Sequence, residues 1–142
     1  MKFQPKKTKF RYSMKRLRHI RGNASKNIKP ILQNSVCLMA DEGYWLKDKH
    51  LEAIRLFIVR KMSRIKITKF KLLFRVFPHR SCSKRKPEIP MGGGKSDFFC
   101  YIAEIKKGMI LFELECEKKN LAISVVKSVK YIVPGKNKIF YR

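Results

Sequence analysis

The chain has 142 residues, of which 35 are Lys or Arg and 10 are Asp or Glu, for a formal net charge of +25. Such an excess destabilises a compact state by self-repulsion unless a counter-charge is bound, yet 44% hydrophobic residues supply a core and exclude a wholly disordered chain. The length fits one body of ordinary size with extended arms, and no apolar run approaches the roughly 20 residues that span a bilayer, which argues against membrane insertion.

Residues 1–27 read as a basic arm. Eight of the first eighteen residues are Lys or Arg and none is acidic, with Phe3, Phe10 and Tyr12 set among the charges. Like charges repel, and too few apolar residues are present for the segment to fold alone. A polyanion would order it, and its aromatics would then pack on bases or sugars. The alternative is a solvated tail. The candidate phosphate contacts are Lys6, Lys7, Lys9, Arg11, Lys15, Arg16, Arg18 and Arg21. The arm lacks the apolar stretch and small-residue cleavage site of a secretory signal, so no removable presequence is expected.

Residues 28–142 read as a single α+β domain. Over 28–40, short apolar pieces broken at Gln33, Asn34 and Ser35 predict one or two brief strands. From 48 to 65, Leu51, Ile54, Ile58, Met62 and Ile65 recur at spacings of three and four, the stripe of an amphipathic helix. Asp48 is its expected cap, and Glu52 adds an acid near the positive helix end. Arg60, Lys61 and Arg64 crowd the later turns. They complement the helix C-terminus as a solvated face or they meet nucleic acid, and the charge of the whole chain favours contact for Arg60 and Arg64.

A strand is predicted over 70–77, ending at Pro78. A flexible loop then runs over 79–97, with Pro87, Pro90, three consecutive glycines and five Lys or Arg, among them Arg80 and Arg85. Loops that long are generally functional or disordered. The apolar runs 98–105 and 109–115, joined through Lys106, Lys107 and Gly108, predict a hairpin. A second helix over 117–129 buries Leu121, Ala122, Val125, Val126 and Val129, and 137–141 closes the chain as a strand. The sum is two helices packed on a mostly antiparallel sheet.

Chemistry finds little support. Met91-Gly-Gly-Gly-Lys-Ser96 ends like a phosphate loop, but Ile89 stands where the Walker pattern needs its first glycine, and Asp97 breaks GxGxxG. What remains is a backbone able to approach a phosphate or ribose closely, or a plain surface loop. Cys37, Cys82, Cys100 and Cys116 form no CxxC pair, and His19, His50 and His79 do not complete one, so neither a metal nor a cofactor is expected and the thiols read as reduced. Glu113, Glu115 and Glu117 alternate as on a solvated sheet edge. Paired carboxylates or a supported histidine, which acid–base catalysis needs, are not visible. An enzyme is not expected.

Gln4-Pro-Lys-Lys-Thr-Lys-Phe-Arg11 resembles the opening signature of bacterial-type large-subunit ribosomal protein sixteen. Leu51-Glu-Ala-Ile-Arg55 resembles that family's helix motif. Arg75-Val-Phe-Pro78, Lys86-Pro87, Met91-Gly-Gly-Gly-Lys95, Lys107-Gly108 and Leu111-Phe-Glu113 resemble its later motifs in order. Pro90, Ser96 and Cys37 depart from it, standing where an arginine and two glycines are usual. The resemblance implies an α+β structural constituent of the large subunit that binds rRNA near the A-site and peptidyl transferase region and helps position tRNA. Lys6, Lys7, Lys9 and Arg11 would thread the rRNA, and Met91, Gly92, Gly93, Gly94 and Lys95 would form a tip facing tRNA. The implied partners are large-subunit rRNA, A-site tRNA and neighbouring ribosomal proteins, with no homo-oligomer. Abundant Lys, Ile, Phe and Asn suggest an AT-rich genome and an organelle-encoded copy, in a mitochondrial ribosome rather than a plastid or bacterial cytoplasm. A free RNA-binding regulator outside the ribosome is the rival reading.

Overall fold

The computed structural model describes residues 3–6, 29–67, 69–94 and 96–141. Lys7, Lys9, Arg11, Lys15, Arg16, Arg18, Arg21 and Lys95 lie outside the described residues. Along the chain come β1 (Ser35–Ala40), β2 (Tyr44–Lys47), α1 (Asp48–Arg64), β3 (Phe70–Phe74), β4 (Arg80–Ser83), β5 (Phe98–Ile105), β6 (Ile110–Cys116), α2 (Lys119–Val129) and β7 (Asn137–Tyr141). They form an α+β fold with two antiparallel sheets, ordered β3-β6-β1-β7 and β2-β5-β4.

The apolar stripe of α1 is buried as its spacing predicts: Leu51, Ile54, Ile58 and Met62 are fully covered. Each such side chain contributes about 1.5–3 kcal/mol relative to exposure. Ile65, expected to extend the stripe, is instead the C-cap and is exposed. On α2, Ala122, Val125, Val126 and Val129 turn inward, whereas Leu121, expected beside them, is only partly buried; the four join Val36 and Leu38 of β1 and Phe112 and Leu114 of β6 in one apolar cluster. The same cluster takes in Leu46, Ala103 and Ile105 from the smaller sheet, so α1 and α2 share one core with both sheets.

Asp48 is the first residue of α1 and not its cap; Lys47 holds that position without a side-chain capping bond. The Asp48 carboxylate still serves the positive end of the helix. Its Oδ1 accepts the Lys49 N–H at 2.8 Å, and its Oδ2 accepts Nε2 of Gln4 at 2.8 Å.

Three expectations need correction. The runs 98–105 and 109–115 do not form a hairpin: β5 pairs with β2 and β4, whereas β6 pairs with β1 and β3. The turn between them, with Gly108 at φ +79°, carries the chain from one sheet to the other, and it is held by Gly108 N–H donating to Ala40 O at 2.8 Å. Residues 101–103 and 110–114 are buried without interruption, so these strands lack the alternation that would have fixed their partners. Secondly, β4 occupies part of the span read as a loop, leaving 84–97 as the loop itself. Its sequence, Arg-Ser-Cys-Ser, offers no apolar signal. Thirdly, Tyr44–Lys47 forms a strand, β2, that the pattern did not suggest.

The turn after β1 is clasped by the segment before β7. Tyr44 Oη donates to Asn137 Oδ1 at 2.5 Å, and burial pushes its phenol above the ordinary range. Gly135, at φ +83°, lies against the Tyr44 ring; a Cβ there would sit 2.5 Å from Cδ1 of that ring.

Candidate nucleic-acid interface

The basic span 7–28 is flanked by described residues that rest on the body at both of its ends. On the N-terminal side, Phe3 packs edge-on against Phe74 of β3 with ring centroids 4.9 Å apart, and Gln4 donates to Asp48. On the C-terminal side, the anchor is Glu113. This side chain is fully buried on β6, which corrects its reading as part of a solvated edge. Its carboxylate accepts the backbone N–H of Ile31 at 3.0 Å and of Leu32 at 2.9 Å, and pairs with Nη1 of Arg75 at 2.9 Å. Arg75 Nη1 also donates to Lys29 O at 2.7 Å. Strand alternation places Glu113 on the face of the large sheet away from Phe112 and Leu114, and residues 29–32 cover it there. Glu115, two residues on, is partly exposed and lies 3.7 Å from the Lys71 ammonium; Glu117 is exposed.

The glycine loop projects from β4 and β5. Its mouth is closed by Lys84 N–H donating to Asp97 O at 3.2 Å and by the Lys86–Asp97 ion pair at 2.8 Å. The Lys86 ammonium holds the Asp97 carboxyl below the usual range and has its own pKa raised in return. Arg85, an expected phosphate contact, folds back to donate to Ile89 O at 2.7 Å. At the tip, Gly93 N–H donates to Pro90 O at 3.2 Å, closing a turn whose third residue is Gly92 at φ +90°. That conformation favours glycine. Met91 is 90% exposed, and Gly92 and Gly94 have nothing within 4 Å of a notional Cβ. The described part of the tip, 91–94, is therefore bare backbone with one long apolar side chain.

Arg80 pairs with Glu104 on the neighbouring strand through Nη1; a guanidinium carries five donors, so this engages only part of it. Lys6, Arg60 and Arg64 are exposed, and among the described residues they make no ion pair. Arg60 and Arg64 line a groove along α1 with Leu56, Phe57, Ile65 and Ile132. Lys61, in the same groove, is tied by a 2.9 Å bond from Nζ to Ser128 Oγ of α2.

Among the described residues, six of the ten acidic residues are engaged in ion pairs. The body's own anions are thus largely matched and do little to offset the surplus of positive charge, and the unpaired Lys6, Arg60 and Arg64 are exposed. Phe99 is a surface aromatic that the apolar pattern alone does not distinguish from an ordinary strand residue. It is half-exposed at the root of the glycine loop, with Nζ of Lys47 and of Lys84 each 5.6 Å from the ring centroid. An aromatic face bracketed by cations suits a base with its flanking phosphates. The doublet Phe98-Phe99 held that signal, because strand alternation must turn one ring outward. Among the described residues no cluster of three metal-ligating side chains exists, and no helix is long and apolar enough to cross a membrane.

The sequence profile of the family described as Ribosomal protein L16p/L10e matches residues 5–140. The chain is 37% identical over 141 residues to large ribosomal subunit protein uL16c of Guillardia theta, covering 97% of this chain and 98% of that one. It is 36% identical over 138 residues to uL16c of Emiliania huxleyi, with 97% and 95% covered. It is 32% identical over 139 residues to large ribosomal subunit protein uL16 of Mycoplasma mycoides, with 98% and 96% covered.

Proposed function

The chain belongs to the ribosomal protein L16p/L10e family, and on that premise we propose that it is a structural constituent of the large ribosomal subunit that binds rRNA near the A-site and helps position tRNA. It is a non-enzymatic component of the ribosome. The observation that carries the finer reading is the extent of the match, which spans residues 5–140 and so takes in both the basic arm and the glycine loop.

In this reading the arm makes the principal rRNA contacts through Lys6, Lys7, Lys9, Arg11, Lys15, Arg16, Arg18 and Arg21, each neutralising backbone phosphate. Arg60 and Arg64 supply a second line of contact from α1. Arg80 and Arg85 act at the root of the loop, with Phe99 between two lysines as a stacking platform. The tip, Met91, Gly92, Gly93, Gly94 and Lys95, faces tRNA: exposed glycine backbone lets a ribose or phosphate approach where side chains would collide. Residue usage rich in Lys, Ile, Phe and Asn supports an organelle-encoded copy, which we place in a mitochondrial ribosome. The relatives do not single out a mitochondrion: those at 36–37% identity are named uL16c, and that of Mycoplasma mycoides, at 32%, is named uL16.

The test is Lys95→Ala in the full chain. The variant is expected to enter large subunits at the wild-type level and to weaken tRNA binding at the A-site, read by sedimentation and by filter binding of aminoacyl-tRNA. Impaired entry with normal A-site binding would refute this division of labour between arm and loop.

A further inference from the structure

The antiparallel pairing of β4 with β5 sets Cys82 directly opposite Cys100. Opposed residues project their side chains from the same face of a sheet, with Cα atoms about 4.5 or 5.5 Å apart according to the kind of pair. Both separations fall within the roughly 4.4–6.8 Å that a disulfide spans. Both residues are free thiols, and the Cys82 thiol makes a long 3.8 Å contact to its neighbour's carbonyl, Ser83 O. Their environments differ in a useful way. Cys82 is partly exposed between Arg80 and Lys84 in the chain, whereas Cys100 is 3% exposed. The other two cysteines have no such partner: Cys37 faces Glu113 and Phe140 across its ladders, and Cys116 faces Phe70.

The position matters as much as the pairing. Ser83 opposite Phe98 is the one pair that lies beyond Cys82 and Cys100, past a register shift, and the glycine loop 84–97 begins there. A bond between the two sulfurs would fasten the strands that carry the loop at its root.

We propose that Cys82 and Cys100 form an oxidisable dithiol, a modification site at which a peroxide closes an intramolecular disulfide and fixes the base of the glycine loop. The accessible Cys82 gives up its proton and, as thiolate, attacks a peroxide oxygen; the O–O bond breaks and the leaving hydroxide takes up a proton, giving a sulfenic acid and one water. The Cys100 sulfur then attacks the Cys82 sulfur, forming S–S as the hydroxyl leaves with the Cys100 proton as a second water. Two thiols and one hydrogen peroxide thus become one disulfide and two waters. Burial pushes the Cys100 thiol up to about 11, which keeps it protonated and slow towards peroxide itself. Its placement against Cys82 makes the second step intramolecular. A dithiol reductant reverses the bond by exchange.

The experiment uses the reduced full-length chain, treated with hydrogen peroxide under native conditions, quenched, and then alkylated in denaturant so that the buried thiols also react. Intact mass and unreduced peptide mapping follow. The expected product is a monomer lighter by two hydrogens, with one cross-linked peptide joining Cys82 to Cys100, and Cys37 and Cys116 alkylated. Dithiothreitol should restore four alkylatable thiols, and tryptic cleavage after Lys84 and Arg85 should be slower in the oxidised form. The cross-link should vanish in Cys82→Ser and persist in Cys37→Ser, with circular dichroism confirming that both fold. Cys82 driven to sulfinic acid beside a free Cys100, or cross-links that involve Cys37 or Cys116, would overturn the proposal, and the wild-type map alone decides between these outcomes.

Discussion

Removal of residues 1–18 is expected to abolish stable incorporation of the chain into large subunits. The deleted segment carries eight of the chain's 35 cationic residues and no acid, so its loss removes the densest run of positive charge in the chain. Binding that releases counterions from about 6–10 phosphates weakens roughly 10³–10⁵-fold between 50 and 200 mM salt. The full chain should show that dependence on large-subunit rRNA, and the truncated chain a much shallower one. Deletion also removes Phe3 and Gln4, which rest on Phe74 and Asp48. A second variant, with Lys6, Lys7, Lys9 and Arg11 changed to Gln, keeps those anchors and isolates charge. Each phosphate contact it loses should lower the salt slope by about 0.9 on duplex or about 0.7 on single strands. Filter binding across a salt series reads both variants, and an unchanged slope in the Gln variant would count against the arm as the rRNA-binding element.

The second large effect is expected at Glu113→Ala. The wild-type carboxylate is fully buried and receives the N–H groups of Ile31 and Leu32 together with Arg75. Truncation leaves a partly buried guanidinium and two backbone donors without their acceptor. Breaking a buried pair from one side costs about 3–5 kcal/mol, a large share of the roughly 5–15 kcal/mol that holds a domain folded. Denaturant titration should show a lower midpoint, and a cycle with Arg75→Ala should reveal strong coupling. Because residues 29–32 are the arm's attachment, native-state hydrogen exchange at Ile31 and Leu32 should rise along with the loss of stability. A change within about 0.5 kcal/mol, the range of an ordinary surface substitution, would mean that the pair does not hold the arm's root.

Much of this is legible in the sequence. The stripe of α1, the buried face of α2, the strand at 137–141 and the α+β class follow from spacing and composition, because those elements show one face to the core and another to water. What was not legible depended on partners distant in sequence. Glu113 read as solvated because Glu115 and Glu117 follow it in alternation, but the residues that cover it lie some eighty positions earlier. The runs flanking Gly108 read as a hairpin because they are adjacent, whereas the two-sided burial of β5 and β6 sends them into different sheets. In the candidate interface, charge named the cations but could not show which were engaged. Arg80 is drawn to Glu104, Arg85 to its own loop and Arg75 to the arm's root. Cys82 and Cys100 stand 18 residues apart in sequence, and only the β4–β5 register makes them neighbours.

The most direct test of the central claim is quantitative mass spectrometry of this chain across a sucrose gradient of ribosomes from the cells that make it, with organelles fractionated separately. The account predicts stoichiometric co-migration with large subunits, concentrated in the organelle fraction. Recovery only in light, ribosome-free fractions would contradict it and would favour an RNA-binding role outside the ribosome.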